Sequence, residues 1–231
     1  MKIGIIVAMD KEFNQLESII ANKKTSQINN QRLVEGTVGD KHVILQKCGI
    51  GKVNSAIGTV EMIKRFSPNI IISSGCAGGA DASLNMFDVV VANNCVYHDA
   101  YCGKEVAKGQ IMGMPARYTA NKQLVEKVLS LNTKDNNKNN IKAGLTVTGD
   151  WFVDNKQTMK RILSDFPEAM AVDMESCSIA QVCYIYSVPF LSFRVISDVP
   201  LKDNSANMYY DFWDRIAENS FEVTKDLINL L

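Results

Sequence analysis

Apolar runs of strand length alternate with stretches of helical period along most of this sequence, and that alternation restricts the fold more than any other feature. Residues 2–8, 70–74, 87–92, 95–98, 141–148, 169–172 and 190–196 read as short buried strands rich in Ile, Val and Ala. Residues 11–20, 53–66, 122–131, 156–166 and 176–186 read as helices, with residues 209–231 as a closing helix. In the second of these, Val53, Ala56, Ile57, Val60 and Ile63 share one helical face. Residues 32–38 and 42–47 predict a hairpin around Gly39-Asp40, and the polar stretch 132–140 predicts a solvated loop. Strands alternating with helices imply an α/β fold whose mostly parallel sheet is covered on both faces. No internal repeat or linker divides the chain, so residues 1–231 are expected to form one domain.

Charge narrows the partners. Lys plus Arg and Asp plus Glu each total 25, a formal net charge of zero. That balance disfavours nucleic acid or an anionic membrane as partner, and it removes a common guard against self-association. Residues 1–9 are too short an apolar run to cross a bilayer, and no small-residue cleavage site follows. The six cysteines include no C-x-x-C pair, and only two histidines exist, so reduced thiols in a cytoplasmic protein without a metal site are expected.

Ligands of α/β sheets bind beyond the carboxyl ends of the strands, so the polar residues that end each strand are the first candidates. The first strand delivers Met9, Asp10 and Glu12; the strand at 70–74 delivers a glycine-rich turn from Gly75 to Gly79. The strand before position 173 delivers Asp173, Met174 and Glu175, and the last strand delivers Ser197 and Asp198. Alternation places Arg194, Ile196 and Asp198 on one face of that last strand. A lone arginine in an apolar strand must be paired. Two readings stay open for Arg194: a structural bridge, or an arginine that orients an active-site carboxylate. Gly49-Ile50-Gly51-Lys52 looks like a dinucleotide or phosphate loop, but it lacks the third glycine, the Gly-Lys-Ser/Thr ending and a spaced acid. A tight turn explains it better.

Six segments, taken in order, carry a resemblance. They are residues 5–12 (IIVAMDKE), 48–54 (CGIGKVN), 75–79 (GCAGG), 149–152 (GDWF), 171–175 (AVDME) and 194–198 (RVISD). Together they resemble the bacterial 5′-methylthioadenosine/S-adenosylhomocysteine nucleosidases of the nucleoside phosphorylase superfamily, along nearly the whole chain. The resemblance implies a three-layer α-β-α homodimer with a mixed, twisted central sheet and no cofactor. It implies that Asp198 is the general acid for N7 of adenine and Glu12 the base for the attacking water. Glu175 would hold the ribose hydroxyls with Met174 against the sugar. Phe152 would stack on adenine, and the Val153 backbone would bond the base edge. Arg194 and Ser197 would support the carboxylates and the water, with Met9, Ile50, Cys76 and Asp173 completing the site. Taken without the other segments, Glu12 would read as a solvated residue in a first helical turn.

The chemistry agrees with that resemblance. Adenine leaves poorly as an anion, so an acid must neutralise it while carboxylates stabilise an oxocarbenium-like sugar. The related phosphorylases carry a Gly-Asp-Pro-x-Arg loop after the first strand and an arginine before the glycine turn. Residues 9–12 and 72–74 hold neither, and a carboxylate there repels phosphate but not water. Other classes considered are nucleosidases for 5′-deoxyadenosine or aminodeoxyfutalosine, a phosphate-dependent phosphorylase, and a non-catalytic nucleoside-binding protein. Cys76 stands where the family usually has serine, Val106 and Ala107 where aromatics are common, and Met112 where proline is common. These positions leave the preferred 5′ substituent open. Tyr209 and Tyr210 have two readings, an aromatic lid or an anchor for the last helix.

Overall fold

Period-two burial in the first strand sets up the layers. In the computed structural model, residues 1–29, 31–133, 140–203, 205–215 and 222–231 are described. Strand β1 (Lys2–Val7) sends Ile3, Ile5 and Val7 to one hydrophobic cluster and Ile6 to another, on the opposite face of the sheet. The chain then runs α1 (Asp10–Ser18), β2 (Ala21–Ile28), β3 (Gln31–Val38), β4 (Lys41–Lys47), α2 (Lys52–Phe66), β5 (Ile70–Gly79) and β6 (Val89–Tyr97). It continues with β7 (Tyr118–Thr119), α3 (Lys122–Leu129), a 3₁₀ turn (Ser130–Thr133), β8 (Ile141–Thr148), α4 (Lys156–Asp165) and β9 (Ala169–Asp173). The last elements are α5 (Ser176–Tyr186), β10 (Phe190–Asp198), α6 (Ser205–Arg215) and α7 (Glu222–Leu230).

The sheet is mixed and partly closed. Its order is β10-β6-β8-β9-β5-β1-β4-β3-β2, and β10 also pairs with β5, so β5, β10, β6, β8 and β9 form a ring. Ala77, Val90, Ala171 and Ile196, from four of these strands, meet in a cluster of their own with Leu84 and Val199. The three-layer α/β architecture expected above is present. Phe13 and Leu16 of α1, Val125 and Val128 of α3, and Leu227 and Ile228 of α7 cover one face. Met62 and Ile63 of α2 and Ile179 and Cys183 of α5 cover the other.

Several expectations need correction. β5 runs unbroken through residues 75–79, so the glycine-rich segment is strand rather than turn. β6 is one strand where two were expected, with a register shift between Ala92 and Asn94. β9 pairs antiparallel with β5, Gly78 opposite Val172, so the site-bearing ends do not share one parallel rim. β2 has no apolar alternation, and all but its last residue is exposed. It is an edge strand held by backbone pairing to β3, with Lys23 and Lys24 guarding the edge. The closing helix begins earlier than expected, as α6, with α7 following. Residues 216–221 of the expected helix and 134–139 of the expected loop lie outside the described residues.

Only part of the apolar stripe of α2 faces the core: Ile63 is buried there, and Ala56 and Val60 pack against the same cluster. Val53 is 69% exposed and Ile57 47%, whereas Ser55, Gly58, Thr59 and Met62 are buried. Periodicity finds an apolar face but not the surface that covers it. This helix approaches α5 closely through small residues, and Ser55 Oγ lies 2.5 Å from Ser178 Oγ. A Cβ on Gly58 would sit 2.8 Å from the Cys48 side chain.

Candidate active site

Glu12 is no solvated first-turn residue. It sits in the first turn of α1 but is 1% exposed, and folds back on the loop that precedes it. Its Oε2 accepts the N–H groups of Ala8 and Met9 at 3.0 Å each, and its Oε1 accepts the N–H of Cys76 on β5 at 2.9 Å. Position 75 must be glycine for this: its φ is +129°, and a Cβ there would lie 2.4 Å from Glu12 Oε1 and 2.8 Å from Arg194 Nη1. The Cys76 thiol keeps its proton, pushed up first by burial and then by the charge of Glu12.

Below the pocket floor Arg194 holds two carboxylates. It is 1% exposed; its Nε lies 3.0 Å from Asp173 Oδ2 and its Nη2 3.5 Å from Glu175 Oε2. The same guanidinium donates to Ser73 Oγ at 2.8 Å and to the Ser74 carbonyl at 3.1 Å. Burial opposes the Arg194 charge, but Asp173, Glu175 and Glu12 together hold it firmly protonated. Asp173 also accepts the Thr148 hydroxyl at 2.6 Å and the Ser176 hydroxyl. Glu175 Oε1 accepts the Gly51 N–H at 3.0 Å. Burial pushes the Glu175 carboxyl up, Arg194 pulls it down, and Asp173 adds to the upward push. So both readings of Arg194 meet in one geometry: it is a bridge, and what it bridges is pocket carboxylates.

Asp198 ends β10 differently. The ladder to β5 shifts register between Ile196 and Asp198, which breaks the strict alternation expected for this strand. Ile196 packs in the ring cluster, while Ser197 and Asp198 both reach the pocket. Ser197 Oγ donates to Asp198 Oδ1 at 2.6 Å. The Asp198 carboxyl is pushed up to about 6, chiefly by burial; the Ser197 hydroxyl lowers it and Asp154 raises it.

One pocket collects these groups. Met9, Glu12, Ile50, Cys76, Phe152, Val153, Asp173, Met174, Glu175, Ser197 and Asp198 all line it, and Arg194 lies beneath. Among the described residues the lining holds no Lys or Arg. Phe152 is 61% exposed, and its ring meets Tyr209 edge-on, centroids 5.5 Å apart at 73°. Tyr209 therefore lines the pocket, while Tyr210 is 70% exposed.

Comparison with known proteins identifies the family. The phosphorylase superfamily model matches residues 2–229. The 5′-methylthioadenosine/S-adenosylhomocysteine nucleosidase of Staphylococcus carnosus is 39% identical over 233 residues, covering 99% of this chain and 100% of the relative. The chain belongs to this nucleosidase family. The nucleosidase of Desulfotalea psychrophila is 36% identical, with 100% and 98% coverage. Among solved structures, the Neisseria meningitidis nucleosidase in complex with methylthio-immucillin-A superposes with a TM-score of 0.92 at 29% identity, covering 100% of this chain and 99% of that one. The Colwellia psychrerythraea nucleosidase in complex with adenine gives 0.92 at 30% identity, with 100% and 96% coverage.

Several pocket groups of this nucleosidase-family chain escaped the sequence reading. The Gly51 N–H that meets Glu175 is a backbone group, visible only as a glycine, here at φ +95°, in a turn that looked merely tight. Ala77 and Gly78 carry no polar atom to single them out, and Trp151 lay inside a motif without a role of its own. One consequence concerns Gly75. Gly75→Ala should displace the Glu12 carboxylate, lowering kcat/KM by roughly 10²-fold or more. The variant should also lose about 2 kcal/mol from backbone strain. Steady-state kinetics and thermal melting check both, and near-native values would contradict the fit described here.

Proposed function

We propose that this chain hydrolyses the N-glycosidic bond of 5′-methylthioadenosine and S-adenosylhomocysteine, releasing adenine and the 5′-thio-ribose. The observation that carries the reading is the pair of differently dressed carboxyls in one pocket. Asp198, raised to about 6, can carry a proton, while Glu12 accepts three backbone N–H bonds. Asp198 gives its proton to N7 of adenine as the C1′–N9 bond breaks and its electron pair goes to the base. The water oxygen bonds to C1′, and its proton goes to Glu12. Between these steps the cationic sugar lies among carboxylates, which stabilise it more than the neutral substrate.

Glu175, fixed by Gly51 and Arg194, accepts from the ribose hydroxyls, and Met174 packs against the sugar. Phe152 stacks on adenine, the Val153 backbone bonds its edge, and Met9, Ile50 and Cys76 close the walls. Asp173 and Arg194 hold Glu175 from below, and Ser197 orients the acid. A pocket lined by carboxylates, with no Lys or Arg among the described lining residues, suits water better than phosphate.

Residues 1–231 act as one domain, which the family match along nearly the whole chain supports. The working form is a homodimer; the exposed apolar residues Val53 and Ile57 of α2 are the surface that favours it. The setting is cytoplasmic, as suits six unbonded cysteines. No described helix is long and apolar enough to cross a membrane.

A panel of 5′-modified adenosines tests the reading through free adenine. The methylthio and homocysteinyl compounds should be cleaved faster than 5′-deoxyadenosine or aminodeoxyfutalosine. Absence of adenine from every member would end it. The pH profile adds a signed test. Because the acid must be protonated, kcat/KM should fall as pH rises through about 6. The Ser197 hydroxyl favours the ionised form, so Ser197→Ala should move that limb upward by roughly one pH unit. A limb that stays or moves down would contradict the role given to Ser197.

A further inference from the structure

Cleavage of a nucleoside needs base and ribose held at one fixed spacing, and loops far apart in sequence grip the two halves. Residues 49–52 supply Ile50 to the pocket wall and the Gly51 N–H to Glu175. Residues 149–153 supply Trp151, Phe152 and Val153. Lys52, Asp99 and Asp150 have no part in the reaction described above and do not line the pocket, yet they join these loops.

Lys52 Nζ lies 2.7 Å from Asp99 Oδ2 and 3.8 Å from Asp150 Oδ2. Asp150 Oδ1 accepts the Lys52 N–H at 2.8 Å, giving α2 the side-chain cap that Gly51, its own N-cap residue, cannot supply. Asp99 Oδ2 in turn accepts the Asp150 N–H at 2.9 Å. Contact is close as well as charged: a Cβ on Gly51 would sit 2.9 Å from Asp150 Oδ1. At the root of the base-side loop, a Cβ on Gly149 would sit 2.4 Å from the His98 ring. The Asp99 side chain is only 10% exposed and that of Lys52 28%, so solvent screens this pair less than a surface bridge. Without the ammonium, Asp99 and Asp150 would face each other as like charges.

We propose that Lys52 is a positioning residue: through Asp99 and Asp150 it clasps the ribose-side glycine loop to the base-side loop, and so sets affinity for the intact nucleoside rather than for the base. The inference rests on the nucleosidase reading. A ligand that spans both loops depends on their spacing, whereas free adenine meets the base-side wall alone.

The test compares Lys52→Met and Lys52→Arg in the full chain. For Lys52→Met, KM for 5′-methylthioadenosine should rise about tenfold, as expected when a reactant grip is displaced by a fraction of an ångström. The Kd of free adenine, measured by calorimetry, should change less than twofold, and Lys52→Arg should recover most of the nucleoside loss. Equal losses on adenine and nucleoside, an unchanged KM, or no recovery by Arg would overturn the proposal. If Lys52→Met fails to fold, Asp99→Asn, which removes one charge and keeps the shape, must show the same split. Repeating the binding comparison with Asp198→Asn present separates the two claims. There the nucleoside Kd reports the clasp without turnover, while a wild-type protein that releases no adenine refutes the nucleosidase reading alone.

Discussion

Asp198→Asn should lower kcat for adenine release by about 10³-fold, within the range that a placed general acid supplies. The amide keeps the shape of the side chain but has no acidic proton to give. Ser197, 2.6 Å from the carboxyl, can still donate to the amide oxygen, so the end of β10 keeps its hydrogen bond. Burial already opposes charge at this position, so a neutral side chain should leave stability within about 1 kcal/mol of the wild type. Nucleoside binding should therefore persist while turnover disappears. Rapid-quench measurement of adenine, alongside equilibrium titration of the nucleoside, distinguishes this from a collapsed pocket. Near-native turnover would mean that another group protonates the base.

Arg194→Met should damage the fold as well as the reaction. Removing the guanidinium leaves Asp173 and Glu175 buried without a counter-charge, a change that costs about 3–5 kcal/mol in buried pairs. For a chain of this length that is a fall in melting temperature of roughly 10 °C. The loss should depend on pH with a definite sign. Burial and Asp173 already push the Glu175 carboxyl up, and loss of Arg194 removes the main opposing pull. A carboxyl whose folded pKa lies above its unfolded value holds the folded state best when protonated. The penalty is therefore smallest below the unfolded value of about 4 and grows as pH rises through the folded one. Melting curves at acid and alkaline pH should show the deficit widening with pH. A deficit that narrows as pH rises would contradict the charge pairing described for Arg194.

What could be read from the sequence, and what could not, follows from where each signal resides. Strands such as β1 and β10 are buried along almost their whole length, so their mostly apolar runs stand out, and the acids that end or follow them mark where a ligand is met. Glu175 and Asp198 stood out for that reason, whereas Glu12 was separated from a solvated first-turn residue only by the resemblance of the six segments. β2 did not stand out, because an exposed edge strand is stabilised by backbone pairing and needs no apolar residues. The spacing of α2 marked one apolar face but not how much of it is covered: Ser55 and Gly58 are buried in close contacts, while Val53 and Ile57 are left outward. The bulge at the end of β10 placed Ser197 and Asp198 together, against the strict alternation assumed for the strand. Gly51 and the Lys52 clasp lay beyond sequence reading for a different reason. Their meaning depends on contacts with residues about fifty to one hundred and twenty-five positions away.

The most direct measurement follows both products from 5′-methylthioadenosine in phosphate-free buffer, then again after adding phosphate. The account predicts one adenine and one free reducing sugar for each nucleoside consumed, at a rate that phosphate does not increase. Adenine that appears only with phosphate, accompanied by a sugar 1-phosphate, would show that the carboxylate-lined pocket admits the anion and that water is not the nucleophile.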